Sequence, residues 1–300
     1  MAVEAKPAER RAWTRDRVEN AVLRVLRWVG IAFFLVITLF PFYYMIVLSL
    51  RSIEELQVEP GDVLVSLREL SYTTYKEVLS PVDSGGQGFL SFLANSAIVS
   101  LGAVVVTLFV AIPGAYAVAR LDFFGRRQVH FLFLAVYLFP AILLAIPLFL
   151  LFSRVGLRGS LTGLVIVYIA QAAPVTIYML RNYFETVPAS LEEASAVDGA
   201  GRLRTLWSVT LPLARPAILA TALYIFMIAW NEYLFALLFL VEERSRWTVS
   251  LGLAQLSDSL DISKTVLMAG SVVLTIPVVV LFFVAERFLT EGLTQGAEKG

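Results

Sequence analysis

Glu192-Glu193-Ala194-Ser195-Ala196-Val197-Asp198-Gly199-Ala200, followed at a fixed distance by Leu211-Pro212 and Pro216, is the stretch on which the reading of this 300-residue chain turns. It is charged, broken by glycine, and set between two long apolar runs, 161–180 before it and 217–241 after it. A chain that keeps such a block between two membrane spans is presenting it to something in water.

Outward from that block, composition decides the solvent. The chain is 58% hydrophobic and 16% charged, with mean hydropathy +0.78, too little polar surface for a soluble domain. Net charge is zero, so bulk electrostatics points to no nucleic-acid partner. The absence of cysteine excludes disulfides, thiolate metal sites and Cys nucleophiles. The single histidine, His130, excludes a multi-His metal cluster and is expected at a helix entrance.

Six runs reach the roughly 20 apolar residues that a bilayer demands. They are 29–50, 92–119, 129–152, 161–180, 217–241 and 266–285. An even count puts both termini on one side, and Lys and Arg choose that side. Sixteen of the 24 basic residues fall in the two tails, the second loop and the fourth loop, against eight in the remaining loops. Both termini and the block at 192–200 of a multi-pass membrane protein are therefore expected in the cytoplasm. The first run is too long for a signal-peptide core, and Ser49-Leu50-Arg51-Ser52 offers no Ala-x-Ala cleavage site. Ahead of it, Val18, Ala21, Val22, Val25, Leu26 and Val29 recur at helical spacing. That fits an amphipathic helix on the membrane surface or a helical lead-in to the first span. The division expected is an N-terminal amphipathic tail (1–28), a transmembrane part (29–288) and a C-terminal tail (289–300).

Residues 51–91 form the longest connection, with turns at Pro60-Gly61 and Ser84-Gly85-Gly86-Gln87-Gly88 and a short helix expected over 70–79. Pro41, Pro113, Pro140, Pro147, Pro174 and Pro277 interrupt the spans. Transport proteins tolerate such prolines because neighbouring helices or cavity water re-satisfy the freed carbonyls.

The block itself reads as two short helices joined at Gly199. Pro188 and Ser190-Leu191-Glu192-Glu193 match the start of a helix with a Ser-x-x-Glu capping box. Asp198-Gly199 ends that helix, and a second stretch, 202–210, runs to Leu211-Pro212. Small residues at the corner, Ala194, Ser195, Ala196 and Ala200, allow a partner surface to approach the backbone, and Glu193 offers it a charge.

The spaced pattern from Glu193 to Pro216 resembles the coupling loop of bacterial ABC importer permeases. The tail from Arg287 to Gly300, Trp230-Asn231-Glu232-Tyr233 and Asn95-Ser96 resemble the maltose-type carbohydrate permeases, in particular the six-span member of their heterodimeric pairs. The resemblance implies an all-α, six-helix bundle of the type I importer kind, with cytoplasmic coupling helices at about 186–216. It implies that Glu193, Ala194, Ser195, Asp198, Gly199, Ala200, Leu206, Leu211 and Pro212 face an ATPase dimer. Leu206 stands where the family more often has phenylalanine. The tail, with Gly292, Gln295 and Gly296, is implied to reach the same ATPases. The implied partners are a second permease subunit, the ATPase dimer and an extracytoplasmic sugar-binding protein, in membrane lipid. ATP and Mg belong to the ATPases, and this chain binds no cofactor or metal. It carries no Gly-x-x-x-x-Gly-Lys-Ser/Thr loop and no nucleophile–base pair, so it is expected to be a non-catalytic subunit. The implied cargo is a di- or oligosaccharide such as maltose or trehalose.

Glu232 is the one carboxylate inside an apolar run, where burial costs about 2.5–3.5 kcal/mol on insertion scales. With Asn231 and Gln171 it is a candidate for the pathway or the partner interface, and it could also accept backbone hydrogen bonds. The competing reading is an ion-gradient-driven transporter with Glu232 as its ion site, which would predict two related halves; no clear internal repeat is present. An intramembrane enzyme is a third reading, disfavoured by the lack of Cys and of paired carboxylates.

Overall fold

A computed structural model describes residues 15–53, 70–259 and 262–297, and among these every regular element is helical. α1 (Arg15–Ser49) runs unbroken through Pro41, so the lead-in and the first span are one helix. The turn at Pro60-Gly61 lies outside the described residues. α2 (Thr73–Leu79) matches the short helix expected in that connection, and it closes the end of α1. Tyr75 Oη lies 2.7 Å from Ser49 Oγ, the Thr74 hydroxyl donates to Ser49 O, and Ser71 N donates to Leu50 O at 2.8 Å. Carbonyls that a helix C-terminus leaves without partners are thereby satisfied.

α3 (Phe89–Arg120) starts at Gly88 in the left-handed region, and α6 (Leu161–Thr186) starts with Ser160 Oγ accepting from Gly163 N at 3.0 Å. α12 (Lys264–Ala297) is again a single helix. Together with α1 these are, among the described residues, the four helices long and apolar enough to cross a membrane by themselves. The other two expected spans are not continuous. The third divides into α4 (Arg126–Leu138), a 3-10 turn (Ala141–Leu144) and α5 (Ala145–Arg154). Its break falls where Phe139 turns extended ahead of Pro140, as the ring of a following proline favours. The fifth divides into α9 (Arg215–Asn231) and α10 (Leu234–Leu240), with Glu232 extended between them.

α3 and α6 form the central pair. Gly102 packs on Val165 and Gly114 on Ile177, at one constant offset, so the two helices run parallel. Fully buried Ala103, Ala111, Ala115 and Ala172 let them close up, the small-residue packing that membrane helices use. One apolar cluster, around Tyr116, Phe184 and Leu206, lies at the end that carries residues 186–216. Two others fill the opposite half, one around Tyr168 and Phe239, the other around Phe89, Phe92 and Trp230. α1 packs along α12 and leaves most of its surface open, with only 6% of its apolar window buried.

α11 (Val249–Asp258) shows what Asn95 and Ser96 do. Asn95 Nδ2 donates to Ser245 O at 2.9 Å and Trp247 O at 3.0 Å, while buried Ser96 Oγ accepts from Val249 N at 2.8 Å. The pair pins the start of α11 onto α3, so closely that a β-carbon at Gly252 would run into the Phe92 ring. Gly252→Ala is therefore expected to cost about 1–3 kcal/mol by overpacking. A lowered thermal midpoint of the detergent-solubilised protein would report it, and an unchanged midpoint would show that Phe92 gives way freely.

Candidate coupling site

The segment after α6 begins with Val187 and Pro188 extended, and α7 (Ala189–Val197) follows. The expected capping box is not formed. Pro188 occupies the N-cap position and makes no side-chain cap bond. The helix thus starts one residue ahead of Ser190, and the register in which Ser190 and Glu193 would bond reciprocally is lost.

The corner at Gly199 is built as expected. Gly199 has φ +81°, and Gly199 N and Ala200 N each donate at 3.0 Å, to Ala196 O and Ser195 O. That bond pair is a Schellman closure, which needs a left-handed residue at this position. α8 (Arg202–Thr205) continues into one π turn (Leu206–Thr210) and a last turn (Leu211–Leu213). Ser195 Oγ lies 3.2 Å from Thr205 Oγ1 across the corner and clasps its two limbs. The 202–213 limb then meets α9 at 80°. Ala214, fully buried at this elbow, donates to Thr210 O at 2.9 Å, and Tyr183 Oη donates to Leu213 O at 3.1 Å.

The two neighbouring carboxylates divide their tasks. Glu193 is exposed, available to a partner. Glu192 is turned inward, where Arg120 Nε and Thr210 Oγ1 each donate to Oε1 at 3.0 Å and Tyr116 Oη donates to Oε2 at 3.3 Å. Ala194 and Asp198 are exposed with Glu193, and Ser195 and Ala200 are half-buried. Leu206, expected in the docking set, is only 3% exposed and packs with Tyr116 and Phe184 inside the protein. The apolar face offered to solvent comes instead from Val197, Leu203 and Trp207, 88%, 72% and 70% exposed. The i, i+4 spacing of Leu203 and Trp207 is the sequence signal that would have found it. Leu211, half-buried, follows the π turn directly, and exposed Pro212 comes after it.

At the opposite half of the bundle, Glu232 is the cap of a broken span. Its Oε1 accepts from Phe235 N at 2.8 Å, and its Oε2 from Ala236 N at 3.2 Å and Tyr168 Oη at 2.6 Å. Its carbonyl accepts from Ser250 Oγ at 2.6 Å. Asn231 is exposed and donates through Nδ2 to Met227 O at 2.9 Å; Gln171 is half-buried. Gly292, Gln295 and Gly296 lie on the continuous backbone of α12.

An all-helical bundle with an elbowed, solvent-facing segment between two spans fits a membrane permease, and residues 103–293 match the model of the binding-protein-dependent transport system inner membrane component family. The chain belongs to that family, a multi-pass inner-membrane protein and a non-catalytic permease subunit. It is 36% identical over 282 residues to an inner membrane ABC transporter permease protein, YcjP, of Escherichia coli, covering 94% of this chain and 99% of that one. It is 35% identical over 283 residues, at the same coverage, to the trehalose/maltose transport system permease protein MalG of Thermococcus litoralis. The crystal structure of a bacterial ABC transporter that imports the acidic polysaccharide alginate superposes with TM-score 0.77 at 26% identity, covering 92% of this chain and 98% of that chain.

Proposed function

We propose that this chain is one of two permease subunits of an ATP-driven importer for a di- or oligosaccharide of the maltose or trehalose kind. In this reading the 186–216 segment lies in the cytoplasm with both termini and docks on partner ATPases, which hold ATP and Mg. An extracytoplasmic binding protein delivers the sugar. The observation that carries the reading is the corner at Gly199, which presents Glu193, Val197, Leu203 and Trp207 to solvent on a backbone clamped from inside. Trehalose, maltose and alginate are the cargoes named for the similar proteins, and they support a sugar. The open flanks of α1 support a second permease subunit beside it. α12, continuing helical to Ala297, supports a reach of Gly292, Gln295 and Gly296 toward the ATPases. Asn231 and Gln171 remain the candidates to line the path.

Uptake by proteoliposomes containing the whole complex tests this. Sugar accumulation should need ATP and ignore ionophores, whereas ionophore-sensitive uptake without ATP would sink the reading. Trp207→Ala should weaken ATPase capture about 30-fold, as truncation of a buried aromatic anchor worth about 2 kcal/mol does. Full capture by this variant would remove Trp207 from the docking face.

A further inference from the structure

Glu192 and Arg120 are charged side chains set well into this protein, with 13% and 17% of their side chains exposed. Arg120 is the last residue of α3. Its Nε bonds Glu192 at 3.0 Å, and its Nη2 donates to Val187 O, the residue closing α6, at 2.6 Å. Glu192 in turn holds Thr210 Oγ1, in the π turn, and Tyr116 Oη, one helical turn back along α3. Four pieces of chain meet at this ion pair, α3, the end of α6, α7 and the π turn, and the Ala214 N–H to Thr210 O bond at the elbow joins α9 to the last of them. The neighbouring apolar packing of Leu206 against Tyr116 and Phe184 can slide, because dispersion contacts have no preferred direction. A carboxylate gripped by a guanidinium and two hydroxyls cannot slide without breaking charge-assisted bonds.

We propose that Glu192–Arg120 is a positioning pair that makes the foot of α3 follow the coupling segment, so that displacement of the segment moves the central α3–α6 pair as well as α9. This rests on the coupling role proposed above. Glu192 faces inward while Glu193, Val197, Leu203 and Trp207 face outward, so docking and transmission are assigned to different side chains on one short helix pair.

The test uses the complete complex with its ATPases and binding protein in vesicles, recording ATPase capture, ATP hydrolysis and sugar uptake together. Wild-type complex without ATP-driven uptake would remove the coupling role itself, before any variant is considered. Given that uptake, Glu192→Gln and Arg120→Gln should each capture the ATPases normally and yet lower uptake per ATP hydrolysed about ten-fold, the size of an ordinary coupling term. The double variant should be no worse than the poorer single one, because both remove the same interaction. Arg120→Lys, which keeps the charge, should recover most of the loss. Wild-type uptake per ATP in the single variants would overturn the proposal, as would losses that multiply in the double variant. Failure of all the variants, Arg120→Lys included, to capture the ATPases would also overturn it, because the pair would then determine the segment's fold and not its transmission.

Discussion

Glu232→Leu is expected to abolish uptake, while Glu232→Gln keeps a measurable part of it. The carboxylate stands at the break between α9 and α10 and accepts from two backbone N–H groups and from the Tyr168 hydroxyl. Leucine leaves all three donors without an acceptor among apolar neighbours. At about 1–3 kcal/mol for each orphaned group, the sum rivals the whole stability of an ordinary domain, about 5–15 kcal/mol. Glutamine retains one carbonyl oxygen as acceptor, and its amide can donate to the Tyr168 oxygen, since a phenol both donates and accepts. The measurement is uptake in vesicles beside the recovery of monodisperse protein after detergent extraction. An ion-coupling site would instead make glutamine as damaging as leucine. Full uptake by Glu232→Leu would show that α10 holds its place without this cap.

Gly199→Pro should be nearly as severe, with a different signature. The position has φ +81°, and a proline ring fixes φ near −65°. Proline also deletes the N–H that donates to Ala196 O. With both lost, the corner between α7 and α8 opens, and Val197 is no longer held with Leu203 and Trp207. ATPase capture and uptake should vanish while the protein still inserts, because the spans are untouched. Gly199→Ala, which keeps the N–H and costs about 1–2 kcal/mol for a left-handed L-residue, should be partly active. Glu193→Ala leaves the corner intact and removes one exposed charge, worth about 0–1 kcal/mol, so its effect should be the smallest of the series. Normal uptake by Gly199→Pro would contradict the docking role of the corner.

Much of this architecture is legible in the sequence because hydropathy reports burial in lipid, and four of the six apolar runs are whole helices. Hydropathy does not see a break that is apolar on both sides. Phe139-Pro140 and Glu232-Tyr233 each divide a run that looks continuous in hydropathy, and a proline alone does not decide the break, since Pro41, Pro113, Pro174 and Pro277 sit inside unbroken helices. Glu232 itself stood out as a charge in an apolar run; its cap bonds to Phe235 and Ala236 are local, but the bonds that tie it to the bundle come from Tyr168 and Ser250, which are distant in sequence. The inward turn of Glu192 at the coupling segment has a local cause. Which of two adjacent glutamates faces inward is a matter of helical phase, about 100° per residue, and phase is set by where the helix starts. Pro188 starts it earlier than a Ser190 cap would. In the second limb, Leu206 opens the π turn and is buried there, while Leu203 and Trp207 form the outward face.

On the proposed coupling role, the elbow at Ala214 also sets the kind of motion that the segment can export. Were the 202–213 limb collinear with α9, rolling it about its long axis would only spin the span in place. At 80° the same roll swings the span like the arm of a windscreen wiper. α9 has 17 residues, so its tip lies about 25 Å from the pivot at 1.5 Å per residue. A roll of about 5° therefore sweeps that tip through about 2 Å. Glu232 sits at the tip, hydrogen-bonded to α6 through Tyr168 and to α11 through Ser250. A barely visible rotation on one face of the membrane thus arrives as a sideways step of about 2 Å, the length of an H···O contact in a hydrogen bond, where the fifth span is broken.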